Sequence, residues 1–151
     1  MPDDNLMDVL TRRKPAPARE PGEQSQSDLT LPDLSLPYEA FAKPANRLLY
    51  SLHCVLGKVG YRSFQYMQLD SDSSFDVDAG GQIIRLRFCG SKITAVTIRG
   101  RNLSNLYDYV HQHRTAWVRR VDGGRDFGND RTAVITAIDI EEVKEVDGGQ
   151  V

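Results

Sequence analysis

The chain has 151 residues, 40% of them apolar, and a net charge of −2. That length holds one ordinary domain plus a tail, and two cysteines, Cys54 and Cys89, are too few for a secreted disulfide framework. No apolar run approaches the roughly eighteen residues a membrane span needs, and Asp3 and Asp4 open the chain where a signal peptide would be basic and then apolar, so the expected setting is cytoplasmic with no membrane contact.

Residues 1–37 are expected to be a disordered leader, because 1–27 are rich in Asp, Arg, Pro, Glu and Ser and offer little to bury. One apolar island, Leu6, Met7, Val9 and Leu10, precedes Arg12, Arg13 and Lys14. The pattern D-L-[ST]-L-P then occurs twice over 28–37. Proline every fifth residue prohibits a helix and biases the residue before it towards an extended form. Leucines two apart then share a side, as on an added edge strand. Leu29, Leu31, Leu34 and Leu36 are therefore the candidate partner-binding residues, unless 28–37 docks on the chain's own domain.

A single domain is expected over 38–146, with 147–151 frayed. Pro44 suits a helix's first turn, and Leu48, Leu52, Val55, Leu56 and Val59 fall on one stripe. With Gly57 and Gly60 as stop signals, the spacing predicts a helix over 45–56. Residues 61–69 read as a strand whose apolar parity changes near Tyr66. The segment 70–73 reads as a turn.

Gly80-Gly81 is a hairpin signal. Pairing outward from it sets Val77 opposite Ile84, Phe75 opposite Leu86 and Asp76 opposite Arg85. A slip of one residue inverts every side chain, so the hydrophobic pattern selects a three-residue loop, Gly90-Ser91-Lys92, for the next turn. That loop sets Phe88, Leu86 and Ile84 opposite Thr94, Val96 and Ile98. The expected core face is Phe75, Val77, Ile84, Leu86, Phe88, Val96 and Ile98, and the outer face carries Arg85, Arg87 and Arg99.

Residues 92–121 hold six basic residues against one acid, Asp108, so this stretch is +5 and the remainder −7. Asn102 is placed as N-cap of a helix running to about Val118, with Leu103, Leu106, Tyr107, Val110 and Trp117 on its buried stripe. Its C-terminal Arg114, Arg119 and Arg120 would complement the helix dipole. A glycine-rich loop over 122–130 and a strand over 132–140, alternating at Val134, Thr136, Ile138 and Ile140, complete the chain. The order predicts an α+β fold, an antiparallel sheet of four to five strands with two helices on one face.

Signatures of chemistry are absent from the sequence. No nucleophile elbow, P-loop or dinucleotide fingerprint occurs, and no catalytic residue, metal ligand or cofactor is assigned. On a helix, His111 and His113 would diverge by about 200° and could not share an ion. The expected function is a non-catalytic protein-interaction module with a protein partner. The alternative is a nucleic-acid or other polyanion-binding domain using Arg85, Arg87, Arg99 and Arg101, and a further alternative is an enzyme with its site in the loop 122–130.

Overall fold

The structure, a computed structural model, describes residues 31–122 and 131–144. The apolar island, Leu29 and the loop 123–130 lie outside the described residues. Seven strands and one α-helix are present among them: β1 (Ser51–Val55), β2 (Tyr61–Gln65), β3 (Ser74–Asp78), β4 (Gly81–Cys89), β5 (Ile93–Arg101), α1 (Ser104–His111), β6 (Trp117–Arg119) and β7 (Val134–Val143). They form two sheets, of order β2-β1-β6 and β3-β4-β5-β7. All pairings are antiparallel except β1 with β6. The fold is mixed α+β and mostly sheet.

The four-stranded sheet follows its hydrophobic pattern most closely. Between β4 and β5, Phe88 faces Thr94, Leu86 faces Val96 and Ile84 faces Ile98, joined by Gly90-Ser91-Lys92 as expected. Between β3 and β4 the turn is Ala79-Gly80, so Asp78 pairs with Gly81, Val77 with Gln82 and Phe75 with Ile84. This corrects the expected register by two residues. A slip of two preserves the faces, so Arg85 stays outside and still meets Asp76, diagonally, at 2.5 Å. Val77, however, moves beyond the core's edge and is 70% exposed, and Phe75 is half-buried.

β7 begins at Val134 rather than at 132, and a bulge lies where Arg99 pairs with Ala137 but Gly100 pairs with Ile135. The unmatched residue, Thr136, turns its hydroxyl to the Arg99 carbonyl at 3.3 Å. Ile135 therefore takes the core place that strict alternation assigned to Thr136. Gly100 permits this approach, because a Cβ there would overlap the Val134 carbonyl oxygen.

The helix expected over 45–56 does not form. Residues 42–50 are irregular, and 51–55 are β1. Gly57 and Gly60, with φ of 71° and 114°, close a hairpin into β2 in which Leu56 N–H donates to the Gly60 carbonyl at 2.9 Å. These glycines serve the turn rather than a helix end. Alternation then buries Leu52 and Cys54 together, with Val55 buried on the opposite face, and leaves Leu48 and Val59 exposed. The strand expected over 61–69 stops at Gln65, and a 3-10 turn over Tyr66–Gln68 accounts for the parity change.

The second helix is half its expected length. Asn102 is not its N-cap; it sits at φ 57° and donates to the Thr132 carbonyl at 2.9 Å. Gln82 from β4 caps α1 instead, accepting from Leu103 N–H at 2.6 Å. Its C-terminus is a Schellman closure, with Arg114 N–H on the Tyr109 carbonyl at 3.0 Å and His113 N–H on the Val110 carbonyl at 2.9 Å. His113 occupies the left-handed position usually held by glycine, at φ 56°.

Trp117 is buried as expected but on β6, not on a helix, and it pairs with His53. Both edges of β6 are occupied. Phe41 bridges Val118, Ala42 N–H reaches the Trp117 carbonyl at 3.1 Å, and Arg119 N–H reaches the Ala40 carbonyl at 2.7 Å.

One core joins these parts: Leu52, Cys54 and Val118 from the smaller sheet, Ile84, Leu86, Phe88, Val96, Ile98, Ile135 and Ile138 from the larger, and Leu103, Leu106 and Val110 from α1. Phe64 of β2 stacks on Phe88 of β4 at 4.8 Å. Each fully buried leucine or isoleucine contributes about 1.5–3 kcal/mol.

Candidate functional site

The outer face of β3-β4-β5 brings together three of the four sequence-predicted arginines, but aspartates accompany them. Arg85 pairs with Asp76, Arg87 lies 3.8 Å from Asp72, and Arg99 lies 3.9 Å from Asp78. Arg101 stands half-buried at the end of β5 and has interactions of its own. Three arginines alternate with three carboxylates, so the face presents little net field to a polyanion.

The three arginines expected at the helix end, Arg114, Arg119 and Arg120, are absorbed by the fold rather than by a helix dipole. Arg114 Nε donates to the Ala45 carbonyl at 2.6 Å, and Arg120 Nη2 donates to the Leu56 carbonyl at 2.9 Å. Arg119 is buried with its guanidinium 5.3 Å over the ring of Tyr38.

The leucine repeat is not a strand in its second copy. Asp33 organises a turn, accepting from Ser35 N–H at 2.9 Å and Ser35 Oγ at 2.7 Å, while Leu36 N–H closes onto the Asp33 carbonyl at 3.1 Å. Those Ser35 bonds hold the Asp33 carboxyl below its ordinary pKa. Leu31 packs partly against the core, whereas Leu34 and Leu36 are exposed on either side of Ser35.

The histidines go to separate places. His111 Nε2 meets Ser73 Oγ at 2.9 Å, His113 stacks on Tyr66, and His53 Nδ1 meets Ser63 Oγ at 2.6 Å across β1 and β2. Burial holds the His53 imidazole below its ordinary pKa. No carboxylate among the described residues orients either Ser–His pair, so neither has the third member of a catalytic triad. No cluster of three His, Cys, Asp or Glu side chains occurs among the described residues, and no helix among them is long and apolar enough to cross a membrane.

The distinctive surface draws Leu48, Leu49, Tyr50 and Ser51 from the segment expected to be a helix and Gln65, Tyr66 and Met67 from the segment expected to be a strand. A groove of about 580 Å³ is lined by Leu48, Leu49, Tyr50, Ser51, Gln65, Tyr66, Met67 and His113. Its floor is rigid. Leu49 and Tyr66 are buried, Leu49 N–H donates to the His113 carbonyl at 2.8 Å, and Tyr66 N–H donates to the Tyr50 carbonyl at 2.8 Å. The Tyr66 hydroxyl donates to the Thr115 carbonyl at 2.5 Å. The rim, in contrast, is apolar and open: Leu48 is 71% exposed, Tyr50 85% and Met67 87%.

Val59 and Tyr61 are also exposed, but at the turn end of the β1–β2 hairpin, where Tyr61 pairs with Val55, whereas the groove lies at the end where Gln65 pairs with Ser51. Three of the nine exposed large hydrophobics among the described residues, Leu48, Tyr50 and Met67, thus meet at one groove. Sequence reasoning missed them because the stripe of Leu48, Leu52, Val55 and Val59 fits a helix. The available signal was the pair Gly57 and Gly60, whose spacing also fits a hairpin.

No family model, curated protein or solved structure matches this chain.

Proposed function

We propose that the chain is a protein-interaction module and that its contact surface is the groove bounded by Leu48, Tyr50 and Met67. The observation that carries this reading is the cluster of exposed apolar side chains around a floor fixed by main-chain hydrogen bonds. An open apolar rim over a rigid base can bind another protein with little ordering of its own. The arginine face supports the polyanion reading less well, because Asp72, Asp76 and Asp78 accompany its basic residues. The enzyme reading rests on the loop 122–130, most of which lies outside the described residues.

A photo-crosslinking amino acid placed at Tyr50, and separately at Arg85, tests this in the protein's own cell. Discrete protein adducts from position 50, lost when Leu48→Asp and Met67→Asp are added, are the expected result. Nucleic-acid adducts from position 85, with none from position 50, would replace the interaction module by a polyanion binder.

A further inference from the structure

We infer that the partner is an extended, acidic polypeptide segment with alternating apolar residues, which adds to β2 as a further strand and places one side chain in the groove. This rests on the interaction reading above and specifies how that surface is used.

The argument begins with the sheet edges. A free edge presents unpaired N–H and C=O groups, and proteins ordinarily cover or charge it. The outer edge of β6 is covered by residues 40–42. β3 carries Asp76 and Asp78, and β7 carries Asp139, Glu141 and Glu142, all exposed. β2, Tyr61-Arg62-Ser63-Phe64-Gln65, has neither proline nor acid and is exposed except at Phe64.

Its hydrogen-bonding phase follows from its neighbours. Tyr66 pairs with Tyr50 and Leu56 with Gly60, so in the antiparallel ladder Phe64 and Arg62 bond inward to Leu52 and Cys54. Tyr61, Ser63 and Gln65 consequently turn their main-chain groups away from β1. Gln65 also lines the groove, which makes the open edge and the apolar depression one continuous surface.

Charge complementarity sets the chemistry of the added strand. No Asp or Glu occurs between Glu39 and Asp70. Arg47, next in sequence to the rim residue Leu48, Lys58 in the hairpin turn and Arg62 on β2 itself, its guanidinium 5.8 Å over the Phe64 ring, are exposed, and none is paired with a carboxylate among the described residues. An incoming segment that alternates carboxylates with apolar residues matches both the period-two geometry of a strand and these cations. An acyl-chain surface would satisfy the rim but not the outward amides of Tyr61, Ser63 and Gln65.

The test is selection from a random peptide library on the full chain, followed by titration of the selected peptide. Alternating acidic and apolar sequences are the expected enrichment. N-methylation of every second amide in the peptide should weaken binding about tenfold or more, the scale of one or two lost main-chain hydrogen bonds. Ser63→Pro, which removes an outward N–H from an edge strand, should weaken it similarly. The N-methylated peptide probes the same contact should that variant fold poorly.

Equal binding by the N-methylated peptide, or enrichment of basic sequences, overturns the strand addition. If Leu48→Asp with Met67→Asp still abolishes that binding, the interaction reading survives in another mode. No enrichment over this double variant, with cosedimentation on phosphatidylserine vesicles that Met67→Asp removes, overturns both in favour of a membrane contact. No enrichment and no cosedimentation also overturns both.

Discussion

Tyr66 and His113 stack with ring centroids 4.7 Å apart and planes 12° from parallel, while the tyrosine hydroxyl reaches past the histidine to the Thr115 carbonyl. One residue follows β2 and the other ends the turn after α1, so the contact fixes the hairpin against that turn. Burial raises the Tyr66 hydroxyl above its ordinary pKa. It therefore remains a donor.

Tyr66→Phe should destabilise the domain by about 1 kcal/mol, because a buried carbonyl loses its partner. Tyr66→Ala should cost about 3–5 kcal/mol by opening a cavity. His113→Gly should stay within about 1 kcal/mol of wild type, since glycine accepts the left-handed φ that histidine holds at some cost. Urea denaturation monitored by Trp117 fluorescence reads all three. Equal losses for Phe and Ala would mean that the ring does not pack as described.

Gly100→Ala should cost about 3 kcal/mol, the upper end for overpacking, because its Cβ would enter the Val134 carbonyl oxygen and lie 3.0 Å from Ile135 Cα. Backbone on the partner strand cannot rotate aside as a side chain can. Gly80→Ala provides the contrast: its Cβ meets only Asp78 Oδ1, at 3.4 Å, and the change should be within about 1 kcal/mol. Thermal melts of the two variants check the difference.

The cysteines should separate cleanly. Burial pushes the Cys54 thiol up to about 12, with Arg62 offsetting this slightly, whereas Cys89 is exposed at the end of β4. A thiol reagent at pH 8 should modify Cys89 at once and Cys54 only as the domain opens. Mass spectrometry of pulse-labelled protein gives the site. Fast labelling of Cys54 would contradict its place in the core.

Stability should fall as pH drops through and below about 6.5, with His53 as one source. The sign follows from its depressed folded pKa. Around the ordinary value the unfolded chain takes up a proton that the folded chain resists, so acid favours unfolding. The stabilisation is complete above that value and fades until pH passes the lower folded pKa. His53→Gln should flatten the dependence of the urea midpoint on pH across this window. An unchanged slope would place the titration elsewhere.

How much of this was legible depended on what set each element. The β4–β5 register followed from alternation alone, because both strands bury one face and a single slip would expose it. The β3–β4 turn was misplaced by one residue, which shifts the register by two, because Ala79-Gly80 and Gly80-Gly81 satisfy the same parity, and nothing in alternation distinguishes them. β1 was hidden because its apolar run fits both periods. Its identity is decided by Trp117–Arg119, with which it pairs in parallel, and no local pattern carries that information. The helix end was hidden by a histidine where glycine is usual. The groove was illegible for the same reasons, being assembled from the elements whose type was misread.

The pairing of His53 with Trp117 spans 64 positions of the chain, and this has a consequence in time. A two-stranded hairpin is marginal by itself, so β1 and β2 gain their third strand only after Arg119 has been made. At about 5–20 residues per second, synthesis leaves that interval at several seconds. Throughout it, Leu52, Val55 and Tyr66, later interior, stand exposed together with the rim residues Leu48, Tyr50 and Met67. A slow codon placed between the two strands would lengthen this window, and with it the opportunity for a nascent-chain chaperone or a neighbouring ribosome's product to reach the same surface first.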